Sequence, residues 1–159
     1  MVVAHAGALR TSIAARYWLA TRMGVWLCEL PVLLPVLPLP ALLRRITAHA
    51  PHETPADGVL PPDVVADVAV HVCRLPMFRV RPFPRACLRQ SLVLFRALTT
   101  MGYPATIHFG VRKEGQAVEG HSWVTLYGRP VAESGSVDAF AALYSFERGA
   151  ASEPARRTS

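Results

Sequence analysis

Cysteine is scarce in this chain, with three in 159 residues, at positions 28, 73 and 87. None stands in a Cys-x-x-Cys pair, which excludes a disulfide framework and a cysteine-rich zinc site and points to a reducing compartment, the cytoplasm. Charge is thin as well: 17 Lys and Arg against 11 Asp and Glu give +6, spread over scattered arginines. Without a dense basic block or an aromatic platform motif, that excess does not indicate nucleic acid, whereas an acidic peptide or a membrane surface suits it equally well. No internal repeat is visible, and residues 23–43 lack the short apolar core and small-residue cleavage site of a secretory signal. Apolar mass is what the chain does have. At 52% hydrophobic residues it can build one domain with a true core, and its length argues against a second.

The N-terminal half reads as helical. Leu9, Ile13, Tyr17, Ala20 and Met23 fall on one face of a helix over residues 7–30. Residues 23–43 are apolar and long enough to span a bilayer, but Pro31, Pro35, Pro38 and Pro40, with Glu29 inside, argue for a broken, buried or surface-associated segment. His49 to Pro62 mixes prolines with polar residues and reads as a linker. A short helix over Asp63–Leu75 follows, with Asp63 as N-cap and Val64, Val68, His71 and Val72 facing inward. Near the end, Asp138 to Tyr144 reads as an apolar-faced helix and Ser152 to Ser159 as a disordered tail. One domain is expected: a helical region over 1–75, a core over 76–146 and a flexible tail from 147.

The chemistry lies between Cys87 and Glu133. Leu88, Leu92, Phe95 and Leu98 recur at helical spacing, and Pro82 and Pro84 block a helix before them, so Cys87 falls in a first turn whose backbone N–H groups lack intrahelical partners. An ordinary thiol, with a pKa near ~8.5, is mostly protonated at neutral pH, and a helix N-terminus with a nearby imidazole is how a site raises its thiolate fraction. The same N–H groups can hold an oxyanion. Gly102 and Pro104 end this helix near Met101. Ala105, Ile107, Phe109 and Val111 then alternate with polar residues or glycine in a strand, and after a turn over Lys113–Gln116 residues 117–126 return antiparallel to it. On the second strand His121, Trp123 and Thr125 share one face, and Ser122, Val124 and Leu126 the other.

Cys87, His121 and Glu133 are the parts of a Cys-His-acid nucleophilic site. Register constrains the third member. A two-residue turn at Tyr127-Gly128 sets Glu133 opposite Ser122, on the wrong face for His121. An odd loop or a bulge is therefore required, and a three-residue loop of Leu126, Tyr127 and Gly128 would set Glu133 across from His121. Cys28 and Cys73, in apolar runs, read as small buried hydrophobes, His108 as a packing histidine and Trp123 as core.

The Cys-Leu-Arg-Gln-Ser-Leu helix, the Gly-Tyr-Pro-Ala break, the Phe-Gly-Val-Arg-Lys strand, the His-Ser-Trp-Val strand and the Gly-Arg-Pro-Val turn together resemble the lasso peptide biosynthesis B2 proteins, leader peptidases of the transglutaminase-like superfamily. The resemblance is strongest over Pro84–Glu133. It implies an α+β fold with a transglutaminase-like, papain-like core, in which N-terminal helices pack with a small antiparallel sheet. It further implies Cys87 as nucleophile, His121 as general base and Glu133 as third member. Many relatives carry the shorter Asp at that third position, which leaves Asp138 as a reserve. The implied substrate is a precursor peptide, and the implied partners are a leader-binding B1 protein and a macrolactam synthetase. No metal or organic cofactor is called for. Two other classes use the same residues or the same surfaces: a transglutaminase-like acyl transferase, and a non-catalytic peptide-binding or membrane-associated scaffold.

Overall fold

The computed structural model describes residues 2–48, 59–80, 83, 85–115, 117–133 and 135–148, with side chains from residue 13 onward. The proposed linker lies outside the described residues as far as position 58, and the proposed tail over Ser152–Ser159 lies outside them entirely. Four helices and four strands follow in order: α1 (Val2–Val36), α2 (Leu39–Thr47), α3 (Pro62–Cys73), α4 (Ala86–Thr100), β1 (Ala105–Glu114), β2 (Ala117–Leu126), β3 (Arg129–Val131) and β4 (Ala141–Glu147). Helix α4 is the centre of the molecule. It packs on α1, α2 and α3 on one side and on β1 and β2 on the other. This is the expected α+β arrangement.

The prolines break the N-terminal segment once. Helix α1 runs through Pro31 and Pro35 and stops only before Pro38. Each internal proline removes one backbone donor, but Leu27 and Leu30 are buried against the core, and such packing supplies most of a helix's stability in a folded protein. The inner face of α1 is Leu19, Met23, Trp26, Leu27 and Leu30, whereas Ile13 and Tyr17, expected on one face with Met23, are exposed. Glu29 finds Arg96 of α4 at 3.2 Å, and the same guanidinium lies over the Trp26 ring at 4.3 Å. In α3 the expected cap is replaced: Pro61 is the N-cap and Asp63 lies inside the first turn without capping it. Val65, Ala66, Ala69, Val72 and Cys73 face inward, and His71 is exposed.

Helix α4 ends as its sequence dictates. Gly102 takes φ 84°, Tyr103 N–H donates to Leu98 C=O at 3.0 Å and Gly102 N–H to Thr99 C=O at 3.1 Å, which is the Schellman pair of bonds. Leu92, Phe95 and Leu98 are buried.

The sheet order is β3-β2-β1-β4, antiparallel throughout. Residues 105–114 and 117–126 pair in unbroken register. A helix was expected over Asp138–Tyr144; residues 141–147 instead form β4 on the free edge of β1. Tyr144 and Phe146 face inward, and an open strand edge satisfies the backbone of such a segment at once, an option invisible to local propensity.

Candidate active site

Cys87 is the second residue of α4, and no side chain caps that helix end, so its first-turn N–H groups are left for a ligand. His121 sits in β2 opposite Gly110 of β1. Both Cys87 and His121 line one cleft of about 440 Å³, walled by Leu88, Phe109, Val111 and Leu143 with Arg85 at its edge. No hydrogen bond joins the thiol to the imidazole among the described residues: α4, which carries Cys87, packs on the Ile107 and Val124 face of the sheet, and the His121 side chain lies with Trp123 on the other. Leu143 reaches the cleft from a bulge: the β1–β4 pairing steps from Phe109↔Tyr144 to Gly110↔Ala142 and leaves it without a partner. Gly110 is required by its surroundings. A Cβ there would lie 2.7 Å from the Ala141 carbonyl oxygen and 2.9 Å from the Trp123 ring.

Glu133 does meet His121. Nε2 of the imidazole lies 3.0 Å from Glu133 Oε2, with the two side chains 22% and 16% exposed. An ionised carboxylate only accepts, so in this bond Nε2–H donates to Glu133. Asp138, the reserve acid, is exposed and hydrogen-bonded to Ser136 at 2.7 Å.

The route by which Glu133 arrives differs from the three-residue loop. Leu126 pairs with Arg129 across a two-residue turn, with Tyr127 at φ 50° and Gly128 at φ 76°, a type I′ geometry that matches strand twist. This is the register that sends residue 133 opposite Ser122. The correction comes later, at Ala132, whose φ of 61° turns the chain out of the strand just before the acid. A non-glycine residue in that region costs on the order of 1–3 kcal/mol and persists only when its surroundings impose it.

The other singled-out residues resolve as follows. Ser122, Val124 and Leu126 are buried on the core face of β2, and His121 and Trp123 stack on the opposite face at 6.1 Å. Phe140 packs on His121 at 4.8 Å. His108 stacks on Trp123 at 5.3 Å, with Nδ1 2.8 Å from Ser145 Oγ and Nε2 2.8 Å from Thr125 Oγ1, and burial lowers its pKa. Cys73 is buried as expected, and burial pushes its thiol up to about 11 despite the Arg89 guanidinium nearby. Cys28, also expected to be buried, is exposed on the outer side of α1, because the face that packs inward is offset from it.

Three polar residues unassigned by sequence reasoning complete the site. Arg89, Gln90 and Ser91 follow the cysteine in α4, and each ties the helix to a different element. The Arg89 guanidinium, buried, donates to the carbonyls of Phe78 and of Cys73, the latter at 2.9 Å. Gln90 Nε2 donates to Ala132 C=O at 2.8 Å, and Ser91 Oγ to Ser122 C=O at 2.7 Å. A run of three polar residues within an apolar helix was the available signal, since buried polar groups need partners.

The sequence profile of the transglutaminase-like superfamily matches residues 24–145. The chain belongs to that superfamily, which includes cysteine peptidases and acyltransferases. Neither a curated protein nor a solved structure matches it.

Proposed function

From membership of the transglutaminase-like superfamily, we propose that this protein is a cysteine peptidase that removes the leader segment from a lasso peptide precursor. The supporting observation is the His121–Glu133 pair at 3.0 Å, formed by a histidine that also lines the cleft holding Cys87. Nδ1 of His121 takes the thiol proton, and Cys87 Sγ attacks the scissile carbonyl carbon. First-turn N–H groups of α4 receive the oxyanion. As the C–N bond breaks, imidazolium returns the proton to the leaving amine and a thioester remains. Water, deprotonated by His121, then releases the carboxylate and restores the thiol. Glu133 holds the ring tautomer and stabilises imidazolium throughout. A leader-binding B1 protein delivers the precursor, and an ATP-using macrolactam synthetase closes the ring on the freed amine.

Incubation of the protein with its precursor and the leader-binding protein, beside Cys87→Ala, tests this reading by mass spectrometry. Cleavage by the wild type and none by the variant is the expected result. Unaltered cleavage by Cys87→Ala removes the nucleophile assignment, and a released leader found joined to an added amine moves the reading to acyl transfer.

The site of action in this reading is the cytoplasmic face of a membrane. Ile13–Val36 has a mean hydropathy of 1.4 with 28% of its most apolar window buried. Trp18, Val25, Val32 and Val36 form an exposed stripe at helical spacing, with the Arg22 guanidinium over Trp18 at 4.8 Å. The opposite face of the helix is held in the core, which favours lying on a bilayer over crossing it. Co-sedimentation with anionic vesicles, lost in a Val25→Glu/Val32→Glu variant, is expected.

A further inference from the structure

We propose that Gln90 is the positioning residue that directs Glu133 onto His121, acting through the backbone of Ala132. The proposal rests on the reading of Cys87, His121 and Glu133 as one catalytic set. Strand β3 leaves its two-residue turn in a register that carries residue 133 opposite Ser122, and Ser122 is buried on the core face of the sheet. A chain that continued as strand would therefore send the Glu133 side chain to the face away from His121. Ala132 interrupts this with φ 61°, a conformation that crowds an L side chain and needs an external hold.

Gln90 supplies the hold. Its Nε2 donates to the Ala132 carbonyl at 2.8 Å across a sequence separation of 42. That oxygen belongs to the planar peptide unit leading into Glu133, so fixing it fixes the direction in which the acid leaves the backbone. Gln90 is itself rigidly placed, three residues after Cys87 on the same helix, and positions three apart share a helix face. One rigid element thus carries the thiol and also aims the carboxylate that orients the imidazole.

The test uses the full chain with Gln90→Met, which keeps side-chain length and removes the donor, alone and combined with Ala132→Gly. Gln90→Ala, a better helix former, serves in its place if circular dichroism shows that the Met variant is not folded. Two readouts are taken: the low-field proton resonance of the His121 Nε2–H, which pairing with Glu133 protects from water, and kcat with KM on the precursor. In Gln90→Met the resonance is lost and kcat falls about tenfold to a hundredfold with KM nearly unchanged. Adding Ala132→Gly restores the resonance and most of kcat, because glycine reaches the left-handed region unaided. In a Glu133→Gln background, Gln90→Met costs less than about a further twofold, as coupled residues are non-additive.

A retained resonance in the Gln90 variant, no restoration by Ala132→Gly, or an equal loss with and without Glu133 overturns the proposal. The resonance needs no substrate. A chain that shows its loss and recovery but cleaves nothing keeps the positioning role and loses the peptidase reading.

Discussion

His108 and His121 lie on the same face of the sheet, one on each side of the Trp123 ring, yet they are wired for opposite purposes. Both nitrogens of His108 are engaged by hydroxyls, from Ser145 and Thr125. A neutral imidazole satisfies such a pair, donating to one and accepting from the other, and gaining a proton would force a hydroxyl to turn. His121 has a carboxylate on Nε2 and a second nitrogen unassigned to any protein hydrogen bond among the described residues, in a residue that lines the cleft with Cys87. A carboxylate stabilises the protonated ring that proton transfer creates. Partner chemistry, more than burial, separates His108 from His121, and the proposed general-base role of His121 draws on that difference.

Exchanging either histidine measures that difference. His121→Ala is expected to lower kcat roughly a thousandfold, in the range of a lost general acid–base, while His108→Gln holds kcat/KM within about threefold and lowers stability by about 1–2 kcal/mol in chemical denaturation. Comparable losses of activity from both would erase the distinction. Glu133→Gln, which keeps the contact but not the charge, is expected to cost on the order of a hundredfold in kcat with little change in KM. A fall confined to KM would make Glu133 a substrate contact instead.

The smallest effects are on the pH dependence of stability. Burial lowers the His108 pKa below its ordinary 6.5, so on acidification the unfolded chain takes up the proton first. Between that ordinary value and the lowered native one the unfolded state holds more protons, and stability falls as pH falls. For Cys73 the sign reverses at the other end: from 9.0 to about 11 the unfolded thiol ionises first, and stability falls as pH rises. Thermal midpoints against pH should show His108→Gln flattening the acid limb and Cys73→Ala the alkaline limb, each leaving the other unchanged.

Much of this architecture was legible locally. The Gly102 stop of α4, the antiparallel return of β2 on β1 and the two faces of β2 follow from backbone sterics and a period of two. Where the reading failed, a long-range partner had intervened. Residues 141–147 became a strand because β1 offered an edge. Helix α1 crossed two prolines because its inner face was already buried.

Sequence alone determined that a thiol opens a helix, that an imidazole follows on a strand with Trp123, and that an acid comes one turn later, because helix starts, alternation and turns are written within a few residues. It also determined the parity problem at Glu133. Only the tertiary structure decided the answer: a tight turn kept its preferred geometry, and the register error was cancelled at Ala132 by a hydrogen bond from Gln90. A conformation unfavourable to the residue that adopts it is set by what surrounds it, so no local pattern could have announced it.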